Sequence, residues 1–178
     1  MKKQEIPHTD VHPYHLGIDI GSISINTVIM DEEHHLLVNR YDFCHGKPFE
    51  KVLEILNELR HSYPPGKLRH VAITGSGGKL AQKILGGVYI NEIVAQSTAV
   101  SRLYPQVKTI IEMGGEDSKL IFMEGSPGEA SRLSDFELNT LCAAGTGSFL
   151  DQQARRIGVS IEKEFGELAL QSENPPRI

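Results

Sequence analysis

Short β-branched runs alternate with helical periodicity along the first part of the chain. LGIDI and INTVIMD, joined by the polar turn GSIS, predict a β-hairpin, and LLVNRYDF predicts a third strand. The next runs predict a buried strand, a short helix and a longer amphipathic helix, in the order HVAITG, GGKLAQKIL and NEIVAQSTAVSRLYP. Before them, apolar residues at helical spacing predict an amphipathic helix that ends at YPPG, with a core face of Phe49, Val52, Leu53, Leu56 and Leu59.

The rest of the chain repeats the strand signal and then becomes helical. VKTIIEM and SKLIFM predict a second hairpin around GGED, GSPG predicts a turn, and GSFLDQQARRI and IEKEFGELAL predict two final helices. This order of elements is typical of an α/β protein with a mixed sheet flanked by helices. We expect a flexible leader over residues 1–14, a first lobe over 15–104 and the start of a second, incomplete lobe over 105–178.

Charge and composition narrow the choice of partners. The 178 residues include 18 basic and 23 acidic ones, a net charge of -5, without the basic stripe that neutralises a nucleic-acid backbone. No apolar run approaches the ~20 residues that span a bilayer, and the polar N-terminal stretch lacks a secretory signal. We therefore expect neither nucleic acid nor a membrane as a partner, and a cytoplasmic location, which suits two distant cysteines.

The first 15 residues contain three histidines, His8, His12 and His15, which could form a metal site. Pro7 and Pro13 lie among them, and no hydrophobic periodicity surrounds them. Chain termini are usually loosely held, so a mobile leader is the favoured interpretation and a ligand cluster is the alternative.

The two predicted hairpins share the chemistry of their turns. In GIDIGSISI and IIEMGGEDSKL an acid is followed at the same intervals by small or polar residues. Four pairs of positions are each 93 residues apart, namely Asp19 and Glu112, Gly21 and Gly114, Ser22 and Gly115, and Ser24 and Asp117. Such a turn on its own is usually a plain hairpin, because Asp, Gly and Ser favour turns for local reasons. Two matched turns favour a shared ligand.

The residue types in these turns suit phosphate. Glycine and serine let backbone N–H groups converge on phosphate oxygens without a Cβ in the way. The carboxylate before each turn repels bare phosphate but can hold Mg²⁺, which then bridges to the phosphates. We predict that Asp19 and Glu112 are catalytic acids and that Asp19 holds Mg²⁺. The predicted cradle consists of Gly21, Ser22, Ser24, Gly114, Gly115 and Asp117, with Lys119 either adding positive charge or lying solvated on its strand.

This site differs from the common nucleotide motifs. The sequence contains neither a P-loop G-x-x-x-x-G-K-[ST] nor a dinucleotide G-x-G-x-x-G that opens a helix. The glycine-rich run GSGGKL, which begins at Gly75, leads into a predicted helix. A tight strand-to-helix connection is the favoured interpretation of this run, and contact with a ligand is the alternative.

A further motif, CAAGTGSF, places Cys142 before a run of small residues. Such a cysteine is usually half-buried and inert, but the glycines allow a ligand or another chain to approach closely. Together, LGIDIGSISINTVIM, IIEMGGEDSKLIF and CAAGTGSFLDQQARRIG resemble the ATPases that activate 2-hydroxyacyl-CoA dehydratases and serve as ATP-hydrolysing subunits of benzoyl-CoA reductases. The resemblance runs from about Leu16 to the end of the chain.

The resemblance implies a fold, a set of cofactors and partners. This family belongs to the superfamily of actin, sugar kinases and heat-shock chaperones, in which two ribonuclease-H-like lobes close on ATP. The two hairpins match the two phosphate turns of that superfamily, which implies ATP with Mg²⁺ between Asp19 and Gly114. Cys142 matches a ligand of a 4Fe–4S cluster that a homodimer shares, with two cysteines from each subunit. A helix beginning near Thr146 would favour the thiolate. The implied partner is a dehydratase or reductase that acts on CoA esters.

Three features depart from the family pattern. The second cluster cysteine should follow Cys142, but the other cysteine, Cys44, lies upstream. Glu112 stands where the family usually has aspartate, and Glu116 stands where it has glutamine. No motif that would hold adenosine follows before NPPRI. We therefore expect the N-terminal portion of a longer protein, with a half-built nucleotide site and weak or undetectable ATP affinity.

The expected function is that of an ATP-hydrolysing domain of an activator, which drives electron transfer through the cluster. Lobe closure around phosphate is a known route for such coupling. Two alternatives stay open. A small-molecule kinase of the same superfamily would show substrate-dependent phosphoryl transfer without iron. A non-redox regulatory module would bind its partner equally well after Cys142→Ser.

Overall fold

The described residues form two β-sheets flanked by helices. The structure is a computed structural model that describes residues 13–125, 131–139 and 146–175. The first sheet contains β1 (Tyr14–Ile20), β2 (Ser24–Asp31), β3 (Leu36–Phe43), β4 (Leu68–Thr74) and β5 (Val88–Tyr89). The second contains β6 (Thr109–Met113), β7 (Ser118–Glu124) and β8 (Arg132–Leu138). The helices are α1 (Pro48–Leu59), α2 (Gly78–Leu85), α3 (Glu92–Leu103), α4 (Gly147–Ile157) and α5 (Phe165–Leu170).

The first sheet is mixed, with the strand order β3-β2-β1-β4-β5. β1 pairs antiparallel with β2, and β2 antiparallel with β3, because short turns connect them. β4 is parallel to β1, and β5 is parallel to β4. Each of these connections contains a helix that carries the chain back along the sheet. The carboxyl ends of β1 and β4 therefore lie side by side, with Asp19 paired to Thr74.

The core of the first sheet includes one face of α1. Alternate residues of β1 and β2 are buried in it, together with Val52 and Ile55 of α1. The predicted helix face is confirmed at Val52, and Leu56 and Leu59 are partly buried against the core. At Phe49 and Leu53 the prediction is wrong, since these side chains are 37% and 62% exposed and the core position belongs to Ile55. The helix thus presents a slightly different stripe from the one its leucines suggest.

The second sheet is antiparallel and packs against α3. β6 and β7 form the second predicted hairpin, which is confirmed, and β8 continues the order β6-β7-β8. Ile93 of α3 and two residues of β7, Ile121 and Met123, form its buried core. The sequence pattern does not predict β8, because every residue of this strand except Leu133 is exposed.

Local chemistry explains where several helices begin and end. Pro48 opens α1, where a missing N–H costs nothing. The Asn91 side chain caps α3 by accepting the Ile93 N–H at 2.9 Å. α4 ends at Gly158, whose φ of 76° is left-handed. Among the helices that the structure describes, none is long and apolar enough to cross a membrane.

The last strand of the first sheet ends at Tyr89 and the second sheet begins at Thr109, with α3, which packs against the second sheet, in the connection between them. The expected lobe boundary near Tyr104 and Pro105 lies in this connection and stays a prediction. The final helix is shorter than its apolar pattern predicts, because it begins at Phe165.

We expect Ile73→Ala to lower the free energy of unfolding by about 2–5 kcal/mol, because it leaves a cavity in the core of the first sheet. Ile73 is 1% exposed on β4, whereas Ile84 on α2 is 67% exposed and provides the matched control. Chemical denaturation of both variants measures the difference. An equal effect of Ile73→Ala and Ile84→Ala would contradict the assigned core.

Candidate functional site

The two matched turns meet at one cleft of about 780 Å³. A Cβ built on Gly115 would lie 2.4 Å from Ile23 Cγ1 and 3.2 Å from Ser22 Oγ. The turn of the second hairpin therefore rests on the turn of the first, and a larger residue at Gly115 would have to displace the Ile23 side chain. The predicted site residues all line this cleft within the described ranges, namely Asp19, Gly21, Ser22, Ser24, Glu112, Gly114, Gly115, Asp117 and Lys119.

The repeat in sequence is also a repeat in structure. In the first turn the Gly21 N–H donates to the Ser24 carbonyl at 3.0 Å. In the second, the Gly114 N–H donates to the Asp117 carbonyl at 2.9 Å. The two donors are 93 residues apart, and so are the two acceptors. Both turns therefore close in the same way. Identical closure directs the N–H groups of both turns in comparable ways, as a shared phosphate ligand requires.

The two acids face different partners across their hairpins. Asp19 pairs with Asn26, whose Nδ2 donates to Asp19 Oδ2 at 3.2 Å. Glu112 pairs with Lys119, whose Nζ lies 2.9 Å from Glu112 Oε2. A neutral amide leaves the charge of Asp19 in place, whereas an ammonium group neutralises that of Glu112. Asp19 is therefore the better candidate for holding a cation.

Lys119 lies at the centre of a carboxylate cluster. Besides Glu112, its Nζ lies 3.0 Å from Glu92 Oε2 and 2.9 Å from Asp117 Oδ1. The side chain is 6% exposed, so it does not lie solvated on its strand. Burial alone would lower the pKa of Lys119, but the hydrogen bonds that its ammonium group donates to the three carboxylates raise it above its ordinary value. An ammonium group has three N–H donors, so Lys119 must exchange a carboxylate partner to reach a phosphate.

Burial and neighbouring acids act on Asp19 in the same direction. Burial raises the pKa of this carboxyl above its ordinary value, and the charges of Glu92 and Glu112 raise it further. The hydrogen bond from Asn26 opposes this shift, as does the charge of Lys119. The ionised carboxylate is thus poorly stabilised by the protein alone, and a bound divalent cation would stabilise it.

The cleft is strongly acidic for a site that receives phosphate. A nucleotide triphosphate would be repelled by this lining unless a divalent cation entered with it. The glycines leave the space that the phosphates need, since a Cβ on Gly114 would lie 2.9 Å from Asp117 Oδ1. These residues therefore fit Mg²⁺ with phosphate. The acids that line the cleft are Asp19, Glu92, Glu112, Glu116, Asp117, Asp151 and Glu162, against the bases Lys119 and Arg155.

The glycine-rich connection after β4 closes the cleft behind Asp19. The Gly77 N–H donates to the Ile20 carbonyl at 3.0 Å, which joins the connection to the end of β1. Gly75 has a φ of 91°, and a Cβ there would lie 2.5 Å from Asp19 Oδ1. The run is a tight connection, as favoured, and it also lines the cleft. The hydroxyl oxygen of Thr74, which precedes it, is buried without a hydrogen-bond partner among the described residues.

The second turn also supports the start of α4. The Gly147 N–H donates to the Gly114 carbonyl at 2.9 Å, and the Ser148 N–H donates to the Gly115 carbonyl at 2.9 Å. The Ser148 hydroxyl donates to the Gly115 carbonyl as well. The predicted helix start near Thr146 is confirmed. Cys142 lies outside the described residues, so its predicted role as a cluster ligand stays a prediction.

Cys44 lies behind the first turn and is 2% exposed. Its thiol donates to the Ser22 carbonyl at 3.1 Å, and its backbone N–H donates to the Ile23 carbonyl at 2.9 Å. Both carbonyls are thereby held away from the cleft, which leaves the turn's N–H groups for a ligand. Cys44 is a structural cysteine of this turn.

Three residues of the site escape the sequence analysis. Asn26 could have been found, because it stands 93 residues before Lys119 and completes the repeat. Glu92 and Thr74 carry no such signal. Helix α3 brings Glu92 to Lys119, and the parallel pairing of β4 with β1 brings Thr74 to Asp19. The positions of Glu92 and Thr74 in the site follow from the tertiary packing and not from a local sequence pattern.

The fold has two similar hairpins, one in a mixed sheet and one in an antiparallel sheet, whose turns face each other across an acidic cleft between flanking helices. This is the fold of the actin-like ATPases. The model of the BadF/BadG/BcrA/BcrD ATPase family matches residues 16–178. The chain therefore belongs to this family, as its motifs indicate.

Named relatives agree with this assignment. The 2-hydroxyisocaproyl-CoA dehydratase activator of Clostridioides difficile is 28% identical over 167 residues, which cover 93% of this chain and 60% of the relative. The crystal structure of (R)-2-hydroxyglutaryl-CoA dehydratase component A from Acidaminococcus fermentans is 25% identical, with a TM-score of 0.79 and coverage of 92% and 61%. The structure of the 2-hydroxyisocaproyl-CoA dehydratase activator from Clostridium difficile with bound ADPNP is 29% identical, with a TM-score of 0.76 and coverage of 92% and 59%. The chain thus spans about three fifths of these relatives.

We expect Asp19→Asn to raise the melting temperature at pH 7 in the absence of divalent cations. A raised pKa in the folded state means that folding disfavours the ionised carboxylate, so stability falls as pH rises above the ordinary aspartate pKa of about 3.9. The amide removes this charge, and its oxygen can still accept the Asn26 hydrogen bond.

Thermal unfolding across pH measures the effect, with the exposed Asp135→Asn as the control. The gain of Asp19→Asn should disappear as pH falls below that ordinary value, where aspartate is protonated in both states. A melting temperature at pH 7 equal to or below that of the parent would contradict the assignment of Asp19 as an uncompensated acid.

Proposed function

We propose that this chain is the nucleotide-binding part of an activator that hydrolyses ATP and drives electron transfer to a partner enzyme acting on CoA esters. The observation that carries this proposal is the meeting of two identically closed turns, with Asp19 beside them as an acid opposed only by an amide across its hairpin. Membership of the ATPase family and similarity to an ADPNP-bound activator support it.

The two turns would hold the phosphates of ATP from both sides. Gly21, Ser22 and Ser24 would supply backbone and hydroxyl donors from the first turn, with Gly114 and Gly115 opposite them. Mg²⁺ would neutralise phosphate charge and polarise the bond to be broken. Asp19 would hold Mg²⁺ directly or through water.

The second acid would act together with Lys119. In the described arrangement Lys119 holds Glu92, Glu112 and Asp117 in place before any ligand arrives. When metal and phosphate enter, Glu112 could turn towards the metal side while the ammonium group turns towards phosphate. The cluster would then keep the cleft ordered in both states without leaving a buried charge unpaired.

Coupling to redox chemistry would run through α4. The first N–H groups of this helix bind the carbonyls of Gly114 and Gly115, so a shift of the second turn would move the helix start. Cys142 precedes Thr146 by four residues in the sequence. We propose that Cys142 ligates a 4Fe–4S cluster shared by a homodimer, and that nucleotide-dependent movement of α4 alters the setting of that cluster. The partner would be a dehydratase or reductase of CoA esters.

In the complete protein we expect Asp19→Ala to lower Mg²⁺-dependent ATP hydrolysis by at least about 100-fold, the scale on which loss of one electrostatic group acts. Asp135→Ala, which removes an exposed acid on β8, is the matched control and should hydrolyse ATP at the parent rate. Phosphate release measures both, and circular dichroism confirms folding. Retained hydrolysis in Asp19→Ala would remove Asp19 from the metal role.

The iron content of protein purified without oxygen tests the redox half of the proposal. We expect Cys142→Ser to lose iron, acid-labile sulfide and visible absorbance, because the thiolate is the ligand that binds iron. Cys44→Ser is the matched control and should keep its iron, since this cysteine supports the first turn. Iron-free parent protein that still hydrolyses ATP would favour a kinase or a regulatory ATPase.

A further inference from the structure

Three histidines of the described residues come together at the opposite end of β1 from Asp19. His15 lies on β1, His70 on β4 and His34 in the turn between β2 and β3. The Nδ1 atoms of His15 and His70 are 3.0 Å apart, and their ring centres are 5.0 Å apart. The His34 ring stacks on His15 with a centre distance of 6.1 Å. Four residues of strand separate His15 from Asp19 by about 13 Å, so this cluster is separate from the cleft.

A bulge in the first sheet creates this cluster. The ladder between β1 and β4 shifts register just before His15, which makes Arg69 the extra residue and places His70 opposite His15. The Arg69 guanidinium forms an ion pair with the Glu32 carboxylate in the β2–β3 turn. That ion pair links the β2–β3 turn, which carries His34, to β4. The histidines therefore meet through backbone geometry and not through a flexible segment.

The contact between His15 and His70 suits one proton or one metal ion. A hydrogen bond between two ring nitrogens needs a proton on one nitrogen and a lone pair on the other. Zn–N bonds of about 2.0–2.1 Å in tetrahedral geometry place two ligand nitrogens about 3.3 Å apart. The pair would have to open by a few tenths of an ångström and rotate its rings. Imidazole nitrogens favour Zn²⁺, Cu²⁺ or Ni²⁺ over the Mg²⁺ that suits the cleft.

We propose that His15 and His70 chelate a divalent transition-metal ion, represented by Zn²⁺, with His34 adjacent to it. The acids of the neighbouring turn, Asp31 to Glu33, add negative charge that favours a dication. The ion would join β1 to β4 and stabilise the end of the first sheet. This site shares no residue with the proposed nucleotide site.

A second group of side chains that could bind a metal ion lies in the neighbouring turn and has to be distinguished from the His15–His70 pair. Oxygen and nitrogen atoms of Asp31, Glu33 and His35 lie within 4.8 Å of one another. His35 is already bound to Asp31 at 2.9 Å, and its side chain is 76% exposed on a single turn. The pair on two neighbouring strands is better ordered before a metal arrives, so we assign the ion to it.

Calorimetric titration with Zn²⁺, in excess Mg²⁺ to occupy hard-cation sites, tests the proposal. We expect His15→Gln and His70→Gln each to weaken Zn²⁺ binding by about 10–100-fold, at least the loss seen when an outer partner of a metal ligand is removed. The double variant should bind Zn²⁺ only slightly more weakly than either single variant, because a single variant already has only one imidazole and has lost the chelate. His61→Gln, an exposed histidine after α1, is the control and should bind as the parent does.

Thermal unfolding supplies a second readout, since an ion that binds only the folded state raises the melting temperature. Zn²⁺ should raise the melting temperature of the parent and of His61→Gln but not of His70→Gln, whose stability without Zn²⁺ should match the parent. Binding lost in Asp31→Asn but kept in His70→Gln would assign the ion to the turn and overturn the proposal. Binding lost only when His8 and His12 are both replaced by Gln would overturn it too.

Discussion

The close approach of Gly115 to Ile23 determines the geometry of the cleft. A Cβ at Gly115 would lie 2.4 Å from Ile23 Cγ1, so any other residue there would have to displace the Ile23 side chain or move the two turns apart. The Gly115 carbonyl also accepts the Ser148 N–H, which means that a displaced second turn would carry the start of α4 with it. The phosphate cradle and the helix that follows Cys142 therefore depend on the same small contact.

Charge is distributed unequally between the two halves of this cleft. On the second hairpin, Lys119 forms ion pairs with Glu112, Glu92 and Asp117, so each of these carboxylates has a cationic partner. On the first hairpin, Asp19 receives only an amide hydrogen bond across its ladder, and burial disfavours its charge. A cation entering the cleft would gain most beside Asp19. On the proposed function this asymmetry would give the two similar turns different tasks, with the first beside the metal ion and the second linked to α4.

Local signals account for what could be predicted from the sequence. The hairpins and their turns follow from β-branched runs and from residues repeated at an interval of 93, which are properties of short segments. The strand β8 could not be predicted, because its polar and apolar residues do not alternate and it lies at the sheet edge, where nearly all its side chains are exposed. Glu92 was missed for another reason. Its role depends on how α3 packs against β7, and a contact between distant segments leaves no periodicity in the sequence.

Strand β1 links the two sites proposed for this protein. Its parallel pairing with β4 runs from His15 opposite His70 to Asp19 opposite Thr74. At the second of these ends, Gly75 packs directly against Asp19, so the spacing of the two strands sets the room around that carboxylate. A metal ion at the histidine end would restrain the same pair of strands from the other side. Because the ladder between the two ends is continuous, such an ion would act on the cleft by limiting how far β1 and β4 can separate, without contacting the nucleotide.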